Sequence, residues 1–209
     1  MGLLPGVLNL ATNAGVDVAD ATRMATKSMG AFGMRAGTTA EKQKALTRIN
    51  DVFSRAVSSA ALDVEGLFET LKFAGPAMFA AGQSVETFAA TTELLADRSI
   101  DASVAGTSLR RTFIQLAKKD TAKKLKRLGV EVADSSGNFR DFADILGDVG
   151  KATEKMGNQQ KLATLTTLFG ARAVNSINAL LDAGSDELKK YRKRLEDAAG
   201  DSDKEGENS

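Results

Sequence analysis

The sequence predicts a mainly α-helical fold: a compact domain of short capped helices, roughly eight to ten by apolar periodicity, with one small β-hairpin near residues 130–140. Three observations predict it. Apolar residues recur at helical spacing in several windows. Asp or Ser stands directly before a valine at the head of several of these windows, where its side chain can accept from a free N–H of the first turn. Only two prolines interrupt 209 residues, and only one short stretch alternates with a period of two.

The elements follow in order. Pro5 and Pro76 lie near the starts of apolar segments, where a first helical turn tolerates the missing N–H. Gly15-Val16-Asp17-Val18 opens a helix running to Phe32. Ala45, Ile49, Val52, Phe53, Ala56 and Val57 form one face of a helix over about Thr39 to Ser58. Ala61-Leu62-Asp63-Val64 and Gly82-Gln83-Ser84-Val85 open two more, the second reaching Asp97. The recurrence of this opening favours a shared capping solution over an internal duplication. Phe73 to Gly82 is apolar and reads as a buried helix. Ala102 to Thr107 is rich in small residues, so Ala105 and Gly106 predict a close helix crossing, either within the chain or between subunits.

Gly129-Val130-Glu131-Val132 alternates, Asp134 to Gly137 supplies turn residues, and Asn138-Phe139-Arg140 can return as a second strand. Such a short hairpin has to lean on helices. Phe142, Ile145, Leu146 and Val149 form a helical face with Asp141 or Asp144 as its cap. Leu162, Leu165, Leu168 and Phe169 form the next, and Val174, Ile177, Leu180 and Leu181 another. Gly170 separates these two, with Ala173 at the second crossing. Asp186 to Ala198 reads as a charged helix with a narrow seam of Leu188, Tyr191 and Leu195. The domain therefore spans 1–199, with an internal division near 100–130 left open, and 200–209 reads as an acidic disordered tail.

Composition narrows the chemistry. The 5% aromatic content, with no Trp, leaves Ala, Leu, Val and Phe to build the core. The absence of Cys removes disulfides and thiolate metal sites, and the absence of His removes the commonest general base and metal ligand. Carboxylate-only catalysis survives, yet pairs such as Asp141 and Asp144 read as caps. No catalytic, cofactor or metal set emerges. No apolar run reaches the ~18 residues of a membrane span, and the N-terminus lacks the basic region of a signal peptide.

Charge is unevenly placed. The chain is +1 overall, but Arg110, Arg111, Lys118, Lys119, Lys123, Lys124, Lys126 and Arg127 stand in one stretch against a single acid, Asp120. This run reads first as the solvated face of two helices, second as a surface for an acidic partner, and third as a nucleic-acid site. Residues 84–113 have a weak helix-turn-helix character, but the arginines come too late in the second helix for a reading end.

A set of short phrases carries a resemblance. In order they are Leu4-Pro5-Gly6-Val7-Leu8, Ala31-Phe32-Gly33, Lys72-Phe73-Ala74-Gly75-Pro76 and Ala105-Gly106-Thr107-Ser108-Leu109-Arg110. Leu128-Gly129-Val130, Gly137-Asn138-Phe139-Arg140, Leu168-Phe169-Gly170-Ala171-Arg172-Ala173 and Leu180-Leu181 complete the order. Together, over roughly Leu3 to Ala198, they resemble the core region of the tail tape-measure proteins of long-tailed bacteriophages and of phage-derived, prophage-encoded tail-like particles.

The resemblance implies a non-enzymatic structural protein of the virion, in the lumen of the tail tube and, during assembly, in the host cytoplasm. It would act in tail assembly, tail length determination and genome ejection. Implied partners are the tail tube protein, tail assembly chaperones, tail-tip or baseplate proteins and further copies of itself; membrane contact has no spanning segment to support it. The alternative is a helical nucleic-acid-binding module using residues 110–127. The sequence departs from the family at Ser99 to Ser103, where a glycine-rich turn is usual. It is also short for a ruler: 209 residues in one helix would span about 310 Å, whereas capped breaks make a body with a radius of gyration of about 17 Å.

An Ala-rich core without Trp or Cys buries little area per side chain and has no covalent staple. The expected guanidinium midpoint of the isolated chain therefore lies below about 5 M, the mark of a hyperstable fold; chemical denaturation followed by circular dichroism measures it.

Overall fold

A computed structural model describes residues 7–8, 11–12, 15–33, 37–59 and 62–207. Among these it forms ten helices: α1 (Val18–Ala31), α2 (Thr39–Ser59), α3 (Val64–Ala80), α4 (Val85–Asp97), α5 (Ala102–Leu116), α6 (Lys119–Arg127), α7 (Phe142–Thr153), α8 (Asn158–Phe169), α9 (Val174–Ala183) and α10 (Ser185–Glu207). Their starts are written locally. The N–H of Asp20 donates to Asp17 Oδ1 (2.7 Å), Gly66 to Asp63 Oδ1 (2.7 Å), Thr87 to Ser84 Oγ (3.1 Å) and Ala143 to Asp141 Oδ1 (2.9 Å). Each bond satisfies an N–H that the first turn leaves without a helical partner.

The tightest packing joins α3 to α5. A Cβ on Gly66 would stand 3.4 Å from that of Ala102, and one on Gly106 would stand 3.0 Å from the Thr70 carbonyl oxygen and 3.1 Å from Thr70 Cα and Phe73 Cβ. Both contacts advance in the same direction, so the two helices run parallel. The Thr70 hydroxyl donates to the Ala102 carbonyl (3.1 Å) at the start of α5. Helix α4 makes the return between them and is buried from Val85 to Leu95. Helix α10 packs across α2 and α4, and one apolar cluster runs from the N-terminal helices to Leu188 and Leu195.

Several expectations need correction. Residues 130–140 form no strand: they make a turn with a single antiparallel bridge, Ala133 to Phe139. The backbone bonds across it run from Asp134 N to Asn138 O (2.8 Å), Gly137 N to Asp134 O (3.1 Å) and Arg140 N to Val132 O (3.0 Å), and Asp134 Oδ1 closes the tip by accepting from the N–H groups of Ser136 and Asn138. Val130 and Val132 are spent on the helical core, so the alternation marks an extended segment anchored by every second residue. Pro76 lies inside α3, not at a helix start; its missing N–H removes the i−4 partner of the Lys72 carbonyl. Leu162 is 49% exposed and leaves the buried face of α8 to Leu165, Leu168 and Phe169. Helix α10 runs from Ser185 to Glu207. Leu4, Pro5 and Gly6 of the first phrase, and Asn208 and Ser209, lie outside the described residues.

Gly106 and Gly150 make a matched test of this architecture. Both are helical, but a Cβ on Gly150 meets only Leu181 Cδ2, at 3.8 Å. Gly150→Ala is expected to stabilise by up to about 1 kcal/mol through helix propensity. Gly106→Ala is expected to destabilise by about 1 kcal/mol, because overpacking of about 1–3 kcal/mol against the α3 backbone outweighs that gain. Urea denaturation of both variants reads the difference.

Candidate functional site

Glycines and arginines bring the short sequence phrases into contact with one another. Gly75 of α3 faces Ala31 at the end of α1, and Gly33 lies under the Phe79 ring. Gly106 meets α3, and two residues on, Ser108 Oγ donates to the Arg172 carbonyl (3.1 Å). Gly170 has φ +88°, and a Cβ there would stand 2.6 Å from Arg111 Nε, so the Arg111 guanidinium packs on the bare backbone between α8 and α9. Ala105 and Ala173 are buried beside these contacts. Arg140 donates to the Glu131 carbonyl (2.7 Å) and pairs with Asp148 (2.8 Å), which pins the turn before α7. Phe139 of that turn and Phe142 both pack on Phe113, with centroids 6.4 and 4.9 Å away.

The eight cations of 110–127 are all exposed, but they do not form one patch. Arg110 and Arg111 are on α5, with Arg111 held against Gly170. Lys119, Lys123 and Lys126 line a groove between α6 and the 131–139 turn; Lys124 and Arg127 line another between α6 and α8. Lys118 stands at the α5–α6 corner. Lys126 pairs with Glu131 (3.0 Å). In the first half of α5, Ala105, Gly106, Ser108 and Leu109 are buried against the fold, while Ser103, Val104 and Thr107 are exposed.

A second polar system was not legible in the sequence. Two carboxylates of α4, Glu86 and Glu93, are buried. Arg48 of α2 holds Glu86 with two bonds, Nε to Oε1 (2.6 Å) and NH2 to Oε2 (2.9 Å). Arg194 of α10 binds Glu93, and Tyr191 donates its hydroxyl proton to Asp97 (2.7 Å). Farther along, Arg192 binds Asp141 and Lys189 binds Asp144 (2.6 Å). The Lys189 hydrogen bond holds the Asp144 carboxyl below its usual range, and the same bond holds the Lys189 ammonium above its own. Helix α10 is thus fastened by charge to α4 and to the start of α7. Gln83 joins the same region: its Oε1 accepts from Phe142 N (2.9 Å) and its amide donates to the Ala81 and Arg140 carbonyls (both 3.1 Å).

Comparison with known proteins gives this arrangement its context. Residues 1–170 match the phage-related minor tail protein family. The chain belongs to that family. It is 32% identical over 202 residues to the tape measure protein of Pneumococcus phage Dp-1, covering 96% of this chain and 17% of that protein. It is 34% identical over 145 residues to the probable tape measure protein of Escherichia phage P2, covering 67% of this chain and 18% of that protein. The chain thus spans less than a fifth of these relatives' length. No solved structure matches it. The family match ends at Gly170, so α9 and the charged helix α10 lie beyond it.

Among the described residues no group of three or more acidic side chains is placed to hold a metal, and no helix is long and apolar enough to cross a membrane.

Tyr191 reports directly on the α10 fastening, since it is the single tyrosine. The hydrogen bond to Asp97 is the main cause that raises its pKa from 10 to about 12, with burial and the charges of Asp97, Glu93 and Glu187 adding to it. A folded pKa above the unfolded one means that this contribution is complete below pH 10 and is lost as pH rises toward 12. Tyrosinate absorbance is expected to titrate near pH 12 in the folded protein, near 10 in denaturant, and below the wild-type value in Asp97→Asn, where burial and the charges of Glu93 and Glu187 still act.

Proposed function

We propose that this region is a non-enzymatic, structural part of a phage tail tape measure protein, acting in tail tube assembly, tail length determination and genome ejection. The observation that carries the reading is the alignment of 96% of the chain with a tape measure protein. The fold is compatible with it. Helices joined by glycine turns and fastened by ion pairs, with no disulfide, can open into a longer form without breaking a covalent bond. The compact body is then the form that precedes the tube, and the extended helical form is the one that counts toward length. Tail tube protein, assembly chaperones, tip proteins and further copies of the chain are the partners this role requires, in the tail lumen and earlier in the host cell.

Duplication of the codons for 1–199 within the full-length gene tests the reading. An extended helical segment adds ~1.5 Å per residue, so electron microscopy is expected to show tails longer by up to about 300 Å. Tails of unchanged length would remove this region from the ruler. Tails that lengthen but fail to inject DNA would separate its two roles.

A further inference from the structure

Helix α6 buries only Thr121 and Leu125 and turns two basic flanks outward. Lys119, Lys123 and Lys126, spaced four and three residues apart, share the flank facing the 131–139 turn. They rim a groove of about 360 Å³ whose floor is apolar, with Leu116, Ala122 and Phe139 in it. Lys126 is engaged by Glu131, while Lys119 and Lys123 have no ion-pair partner among the described residues. Opposite this flank, Lys124 and Arg127 edge a separate groove against α8.

We propose that the groove between α6 and the 131–139 turn docks an acidic amphipathic helix of a protein partner. Its apolar side chains would rest on Leu116, Ala122 and Phe139, and its carboxylates would meet Lys119 and Lys123. Two features together select this occupant. An apolar floor needs apolar side chains to cover it, and the Lys119 and Lys123 ammoniums, left to solvent while Glu131 pairs with Lys126, need carboxylates to neutralise them. A duplex offers phosphates but nothing for the floor. A single strand needs an open aromatic face for base stacking, and Phe139 is partly buried with its ring set edge-on to Phe113 at 6.4 Å. The proposal rests on the geometry of α6 and stands apart from the tail role.

The test is fluorescence anisotropy on the whole chain at physiological salt with three probes. One is a helical peptide with leucines on one face and glutamates on the other. The second is its scrambled composition, and the third a single-stranded oligonucleotide of equal charge. The amphipathic peptide is expected to bind at least about tenfold more tightly than either control. Lys119→Glu with Lys123→Glu is expected to weaken it by at least about tenfold, and Ala122→Gln, which keeps the charge and fills the floor, by at least about threefold. Lys124→Ala with Arg127→Ala, on the far flank, is expected to cost less than about threefold; circular dichroism verifies that each variant is folded. Equal binding of the scrambled peptide, oligonucleotide binding as tight as that of the amphipathic peptide, an undiminished affinity in the Lys119/Lys123 variant, or no peptide binding would each overturn the proposal.

Discussion

At Gly106 two helices approach until the backbone of one touches the place where a side chain of the other would begin. Close parallel packing of α3 and α5 follows from that missing Cβ, and most of the structure hangs on it. The link between two parallel helices must return along them, so α4 is enclosed on nearly every side. The far end of α5 is then set where Ser108 and Arg111 reach the turn between α8 and α9. Small residues do here what large aromatics do in other cores. They give up buried area per side chain, and in exchange bring main chains close enough for dispersion contacts along a whole helix.

The enclosure of α4 creates an electrostatic demand. Glu86 and Glu93 lie on a helix that has almost no wet face, so each carboxylate needs a cation delivered from outside. Arg48 and Arg194 meet that need from two different helices, each keeping part of its own side chain in solvent. Ion pairs of this kind contribute little net stability against an apolar pair of equal volume, yet losing one partner strands a buried charge. Their effect is to fix which helices cover α4, and in which register.

Local features were legible and distant ones were not. The caps at Asp17, Asp63 and Ser84 could be read, and that of α7 narrowed to Asp141 or Asp144, because donor and acceptor lie within three residues. The apolar faces of α2, α7 and α9 could be read from spacing. The segment around Val130 and Val132 was misread because alternation over a few residues looks the same in a strand and in an extended link anchored by every second side chain. Pro76 was misplaced because its tolerance inside α3 depends on the surrounding packing. Charge could be counted along 110–127, but its division between two grooves depends on α8 and on the 131–139 turn. The burial of Glu86 and Glu93 has no local signal, since Arg48 and Arg194 lie 38 and 101 residues away in sequence.

That last separation also sets a schedule. Chains leave the ribosome at roughly 5–20 residues per second, and Arg194 follows Glu93 by 101 residues. For roughly 5–20 s, then, Glu93 exists without the guanidinium that binds it. During that interval the carboxylate has to remain hydrated, so α4 waits partly open while α5 to α9 are made. This centre closes only once α10 has been made.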